Sequence, residues 1–203
     1  MTRAQVERAL PRIAPGLERY RWLQAHRDAD DIRTDPVYRK RFNHFYRVRR
    51  GTDWQETFYG LLEARKHHMV SFSGVLHALH QATGRYEPSF ASKLVATIRP
   101  DMPVIDSVVL RNLNLTLPRY KVKDRAARLE HLHETLVSWF SAFLKTETGR
   151  YLVRRFREDY PDAKISEVKM LDLVLWQTRP NNALRTLGRQ QLTKPGRAHT
   201  IET

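Results

Sequence analysis

Hydrophobic residues return every three or four positions along most of the chain, which is the spacing of an amphipathic α-helix. The stretch from Val122 to Lys145 is the longest example, with leucines and aromatic residues repeating at that interval. The alternation that strands require is absent, except for a short candidate at 119–122. The pattern therefore predicts an all-α fold, a compact multi-helix domain.

Residues that favour helix ends divide this pattern into segments. Asp35-Pro36 predicts the start of a helix that runs to about Arg49, and Thr52 with Gln55 resembles a capping box. Gly84 predicts the end of a later helix. Together these signals predict helices over 15–25, 36–49, 52–67, 71–83, 88–99, 107–113, 122–145, 146–160 (broken near Gly149) and 166–178.

The domain organisation follows from where this periodicity stops. After Pro180 the sequence turns polar and irregular, so we expect one helical domain over 1–179 and a basic, mobile tail over 180–203. No apolar run approaches the ~20 residues that span a bilayer, and residues 1–10 lack the apolar region of a secretory signal. We therefore expect a cytoplasmic, bacterial-type intracellular protein without a membrane partner.

The net charge of +14 is unusually large for 203 residues. A charge of this size repels itself in the folded state, and its usual use is to bind the phosphates of a polyanion. Nucleic acid is the predicted partner; an anionic membrane surface, or no polyanion at all, are the alternatives. The absence of cysteine excludes disulfides, thiol catalysis and thiolate zinc sites. The histidines, among them His77 and His80, follow no metal-binding spacing, so we expect no metal and no cofactor.

A basic and aromatic segment at 38–50 is the first candidate site. At helical spacing Arg39, Arg47 and Arg50 share a face, with Lys40 beside them and an aromatic face opposite. A basic face backed by buried rings is typical of a helix that contacts phosphates. The alternative is a solvated cationic surface.

A lysine-to-aspartate segment at 89–115 is the second candidate. Lys93 lies early in a predicted helix, a break follows, and Pro103-Val104-Ile105-Asp106 opens the next helix, which continues as Val-x-x-Arg-x-Leu-x-Leu. This arrangement resembles the signature of the helix-hairpin-helix DNA glycosylase superfamily. The hairpin segment 83–88 has one glycine where the family has Gly-x-Gly, so the resemblance is to a divergent member with a degenerate hairpin.

The resemblance implies a helical DNA glycosylase fold, with Asp106 as the catalytic aspartate and Lys93 near the family's Schiff-base lysine. Arg85, in the hairpin segment, and Arg111, after Asp106, are further candidate contacts for double-stranded DNA. An extruded base would stack on aromatic side chains, for which the candidates are Trp54, Tyr59 and Tyr86. From the residues alone, Asp106 is equally explained as a helix cap and Lys93 as a solvated lysine or phosphate contact.

The leading hypothesis is therefore a DNA glycosylase that flips an unusual or modified base and hydrolyses its N-glycosidic bond. Bacterial defence against phages with modified DNA is a setting suggested by analogy alone. Two alternatives stay open: a non-catalytic DNA- or RNA-binding adaptor, and a helical protein-interaction module whose charge is incidental.

Overall fold

The computed structural model describes residues 1–178, of which 68% are helical, with no strand among them. The prediction of an all-α fold is confirmed. The predicted tail 180–203 lies outside the described residues. The helices are α1 (Arg3–Ala9), a 3₁₀ helix (Leu10–Arg12), α2 (Ala14–His26), α3 (Pro36–Tyr46), α4 (Thr52–Arg65), α5 (Phe72–Thr83), α6 (Pro88–Ile98), α7 (Ser107–Asn112), α8 (Arg125–Leu144), α9 (Glu147–Asp159) and α10 (Glu167–Gln177).

Side-chain caps begin many of these helices. Asp35 accepts from the backbone N–H groups of Val37 and Tyr38 at the start of α3. Five more helices begin in the same way, because each cap supplies an acceptor to an otherwise unpaired amide of the first turn. Their caps are Thr2 of α1, Ser71 of α5, Asp106 of α7, Thr146 of α9 and Ser166 of α10.

Several predicted boundaries were wrong for identifiable reasons. Helix α3 stops at Tyr46 rather than near Arg49, because Arg47 adopts the left-handed conformation with φ 54°. Thr52 and Gln55 form no capping box: Gly51 is the N-cap of α4, and the Gln55 amide instead donates to the carbonyl of Arg50. Helix α1 was not predicted, and the strand candidate at 119–122 is a turn.

Helices α6 and α10 lie at the centre of the described fold. Every residue from Ala91 to Thr97 is buried in α6, and every residue from Lys169 to Leu175 is buried in α10. Helix α6 packs on α5, whereas α10 contacts α1, α7, α8 and α9. The buried hydrophobic residues form one continuous cluster around these two helices.

The break between α8 and α9 falls at Lys145-Thr146, not at Gly149 as predicted. Gly149 is nevertheless essential to the geometry, since a β-carbon there would lie 2.1 Å from the carbonyl oxygen of Phe143. The absence of a side chain lets the first turn of α9 press against the last turn of α8.

The N-terminal segment closes onto the far end of the described chain. Glu7 of α1 accepts hydrogen bonds from Tyr151 Oη and Arg155 Nε of α9, and Tyr160 Oη donates to the carbonyl of Leu10. Within residues 1–178, no helix combines the length and the hydropathy required to cross a bilayer.

Candidate active site and nucleic-acid interface

Helices α5 and α6 form a helical hairpin through a four-residue turn, 84–87. Gly84 takes the left-handed conformation with φ 70°, and its N–H donates to the carbonyl of His80 at 2.8 Å. Glycine adopts this conformation without a steric penalty, so it ends α5 and reverses the chain. Pro88 then supplies the fixed φ of the first turn of α6.

The loop from α6 to α7 is held against α6 by one buried hydrogen bond. The N–H of Ile105 donates to Ser92 Oγ at 2.9 Å. Asp106 follows at once, is half-buried, and its Oδ1 accepts from the N–H of Val108 at 2.7 Å. Asp106 is therefore the N-cap of α7, as its position in the sequence predicts, and Ser92 fixes it beside the turn of α6 that carries Lys93.

Lys93 is a buried lysine whose ammonium group lies near aromatic rings. It is 6% exposed, and its Nζ lies 4.8 Å from the ring centroid of Phe90 and 5.9 Å from that of Tyr46. Burial lowers the pKa of Lys93, and the negative charge of Asp106 opposes this shift without forming an ion pair with it. The two residues thus interact electrostatically across α6 and α7, as a shared site requires.

A second pair of charges lies beneath Asp106 in α10. Lys169 Nζ and Asp172 Oδ2 are 2.8 Å apart, and both side chains are almost completely buried. Burial raises the pKa of Asp172, the Lys169 ammonium lowers it, and the Asp106 charge raises it further. Burial alone would lower the pKa of Lys169, but the Asp172 carboxylate raises it. The charges of Lys93, Asp106, Asp172 and Lys169, two positive and two negative, are therefore coupled from the half-buried site into the core. Sequence reasoning expected an arginine as the partner of Asp172; the partner is Lys169.

Two of the predicted phosphate-binding arginines are engaged within the protein. Arg39 Nη2 donates to Glu56 at 2.6 Å, and Arg50 Nη2 donates to both carboxylate oxygens of Glu87. The prediction that Arg39, Arg47 and Arg50 share one helix face was wrong, because α3 ends before Arg47. Arg39 ties α3 to α4, and Arg50 ties the following loop to the hairpin.

The other predicted contacts are exposed, and within residues 1–178 none forms an ion pair. They are Lys40, Arg47, Arg85 and Arg111. Arg111 uses its Nε only for the carbonyl of Ser107 in its own helix. Arg85 projects from the hairpin turn.

The three aromatic candidates have different environments. Tyr59 is fully buried and its hydroxyl donates to Asn43 Oδ1 at 2.7 Å, so the prediction that it stacks on a base was wrong. Trp54 is partly exposed but packs against Phe58 and Phe90. Tyr86, also partly exposed, stacks on His80 with ring centroids 4.0 Å apart.

Sequence reasoning missed a cluster of arginines at a surface cleft. Arg12, Arg19 and Arg49 join Arg47 there, although they come from different elements. No local pattern groups them, because the chain brings them together only through the packing of α2 against α3.

No family model, no curated protein and no solved structure matches this chain. Among residues 1–178, no group of histidine, aspartate and glutamate side chains is arranged to hold a metal ion. These comparisons therefore assign no function to Lys93 and Asp106.

Proposed function

We propose that the chain is a DNA glycosylase that hydrolyses the N-glycosidic bond of an extruded, unusual or modified base, with Asp106 as the catalytic carboxylate. The observation that carries the proposal is the placement of Asp106, the half-buried N-cap of α7, directly after Ile105, whose N–H is hydrogen-bonded to Ser92, the residue before the buried Lys93. The resemblance of residues 80–115 to the helix-hairpin-helix signature gives this pair its interpretation.

Hydrolysis of the N-glycosidic bond requires a carboxylate at the position where positive charge develops. The capping hydrogen bond from the N–H of Val108 holds the Asp106 carboxylate at the start of α7. When the C1′–N bond breaks, its electron pair leaves with the base, which takes up a proton. The sugar then carries oxocarbenium charge that Asp106 stabilises, while a water forms the new C1′–O bond and gives up a proton.

Lys93 is the second candidate catalytic group of this proposed site. Its amine forms no hydrogen bond with any residue of 1–178, and its pKa is lowered by burial, which is the state an amine nucleophile needs. Reduction with borohydride during turnover distinguishes its two roles. A covalent adduct that Lys93→Gln abolishes would assign Lys93 as a nucleophile; no adduct would make the site purely hydrolytic.

The decisive test is Asp106→Asn. Asparagine caps a helix about as well as aspartate, so folding and DNA affinity should stay near those of the parent. Loss of the charge should slow base release by roughly 10²–10³-fold, as for other electrostatic stabilisers of a transition state. Released nucleobase is measured by mass spectrometry from phage DNA with modified bases and from duplexes that contain uracil or alkylated bases. The proposal fails if the parent releases no base from any of these, or if the variant matches it.

A non-catalytic DNA- or RNA-binding module is the second candidate. The exposed arginines without acidic partners favour it, because they serve binding whether or not a bond is broken. Base release separates the two candidates, and phosphate binding is common to both.

A further inference from the structure

A cleft of about 740 Å³ opens between the start of α2, the end of α3 and the end of α10. Four arginines line it: Arg12 at the end of the 3₁₀ helix, Arg19 in α2, Arg47 at the C-cap of α3, and Arg49 just after it. The lining contains His44 as well, and no aspartate or glutamate among the described residues.

These four arginines share one cleft and have no acidic partner within the described residues. All four are exposed, and none forms an ion pair within residues 1–178. By contrast, Arg39, Arg50 and Arg155 each reach a carboxylate. Residues 179–203 contain one acidic residue, Glu202, against five basic ones. Four unpaired arginines at one cleft repel one another, and an anion relieves that repulsion.

The backbone conformation of Arg47 contributes to the arrangement of arginines at the cleft. The residue caps α3 in the left-handed conformation, a position that glycine or asparagine usually occupies. Placing arginine there turns the chain at the end of α3 and directs the following segment, with Arg49, along the same cleft.

Aromatic contacts connect the cleft with the Lys93–Asp106 site. The Arg47 guanidinium lies 6.0 Å from the ring centroid of Trp176, and Trp176 is 5.9 Å from Phe45. Phe45 packs on Tyr46 at 4.6 Å, and Tyr46 faces the Lys93 ammonium. Three rings, those of Trp176, Phe45 and Tyr46, therefore connect Arg47 with the candidate catalytic lysine.

We propose that this cleft binds the phosphate backbone of the duplex DNA that presents a nucleotide to Asp106. Arginine suits the task because its planar guanidinium pairs with two phosphate oxygens at once. The choice of DNA as the ligand rests on the proposed function. The arginines of the cleft recognise the consecutive phosphates of that ligand. The proposed cleft adds Arg12 and Arg19, which lie outside the hairpin and outside the basic segment at 38–50, to two arginines of that segment.

The test compares two variants that remove the same charge. The cleft variant carries Arg12→Gln, Arg19→Gln and Arg49→Gln, and leaves Arg47 in place because it caps α3. The control carries Arg8→Gln, Lys145→Gln and Lys164→Gln, which are exposed and form no ion pair within residues 1–178. Affinity for a short fluorescein-labelled duplex is measured over a range of KCl concentrations, with circular dichroism to confirm folding.

The cleft variant should bind at least about tenfold more weakly, and the slope of log K against log salt should fall by about three. The control should stay within about threefold of the parent, since scattered charges act only through the screened field. Equal losses in both variants, or no loss in the cleft variant, would overturn the proposal. So would cleft-dependent binding to phosphatidylserine vesicles by a parent that does not bind DNA.

Base release keeps the two proposals separable. If the parent releases bases while the cleft variant binds DNA as well as the parent does, the cleft assignment is wrong and the glycosylase assignment stands. If cleft-dependent DNA binding occurs without base release, the cleft assignment is supported and the glycosylase assignment fails.

Discussion

Ile105 donates its backbone N–H to Ser92 Oγ, and this single buried hydrogen bond joins the residue before Asp106 to the residue before Lys93. The two candidate catalytic groups come from different helices, separated by a loop without regular structure. Their relative position therefore depends on how firmly that loop is attached to α6.

Ser92→Ala should lower the free energy of unfolding by about 1–3 kcal/mol, because the buried N–H of Ile105 loses its acceptor. Ser141→Ala on the exposed face of α8 is the control and should change it by less than about 0.5 kcal/mol. Urea unfolding followed by circular dichroism measures both. Equal stability of the two variants would show that the loop is held by other contacts.

The Lys169–Asp172 pair should behave as a coupled unit. Lys169→Met leaves the Asp172 carboxylate buried without its partner, and should cost about 3–5 kcal/mol of folding free energy. The double variant Lys169→Met/Asp172→Leu should recover most of that loss, because no unpaired charge remains. A double-mutant cycle from urea unfolding measures the coupling, and additive effects would contradict a direct pair.

His133 should make the stability of the fold depend on pH. The ring stacks on Phe72, and burial lowers the pKa of His133 to about 4, with a hydrogen bond to the carbonyl of Pro103 opposing the shift. The unfolded chain takes up this proton near pH 6.5, whereas the folded protein takes it up only near pH 4. The free energy of unfolding should therefore fall as the pH drops through that window, by on the order of 3 kcal/mol.

The comparison for that effect is His133→Phe, which keeps a ring against Phe72 but cannot titrate. The difference in unfolding free energy between the parent and this variant should change steadily between pH 6.5 and 4. A difference that stays constant over this range would mean that His133 titrates normally in the folded state.

Two glycines should respond to alanine in opposite directions. At Gly149 a β-carbon would meet the backbone of Phe143 and Leu144, so Gly149→Ala should destabilise the fold by about 3 kcal/mol or more. At Gly60, inside α4, a β-carbon meets nothing within 4 Å. Gly60→Ala should therefore stabilise it by roughly 0.5–1 kcal/mol, through the better helix propensity of alanine. Thermal unfolding of both variants tests the pair, and destabilisation at both positions would contradict it.

The fold was predictable to a large extent because it depends on local signals. Helical periodicity, the caps Asp35 and Asp106 and the left-handed Gly84 can all be identified from neighbouring residues. The end of α3 was mispredicted because the basic and aromatic pattern continues past Tyr46, while the conformation of Arg47 breaks the helix. A left-handed arginine carries no signal in the sequence that distinguishes it from a helical one.

The candidate site was less predictable because its partners are distant along the chain. Glu56 is 17 residues from Arg39, and Glu87 is 37 residues from Arg50, so no spacing rule shows that these arginines are paired. The same distance hides the arginine cleft, whose members become neighbours only when α2 packs on α3. Charge composition predicts that a basic surface exists, and tertiary packing decides which arginines form it.

The closure of the N-terminal segment onto α9 determines when the domain can finish folding during synthesis. The carbonyl of Leu10 accepts its hydrogen bond from the hydroxyl of Tyr160, which is synthesised 150 residues later. At about 5–20 residues per second, α1 leaves the ribosome many seconds before its partners do. Contacts between residues so distant in sequence slow the final step of folding. Until then the apolar face of α1, including Val6 and Ala9, lacks the α9 and α10 contacts that cover it in the folded domain.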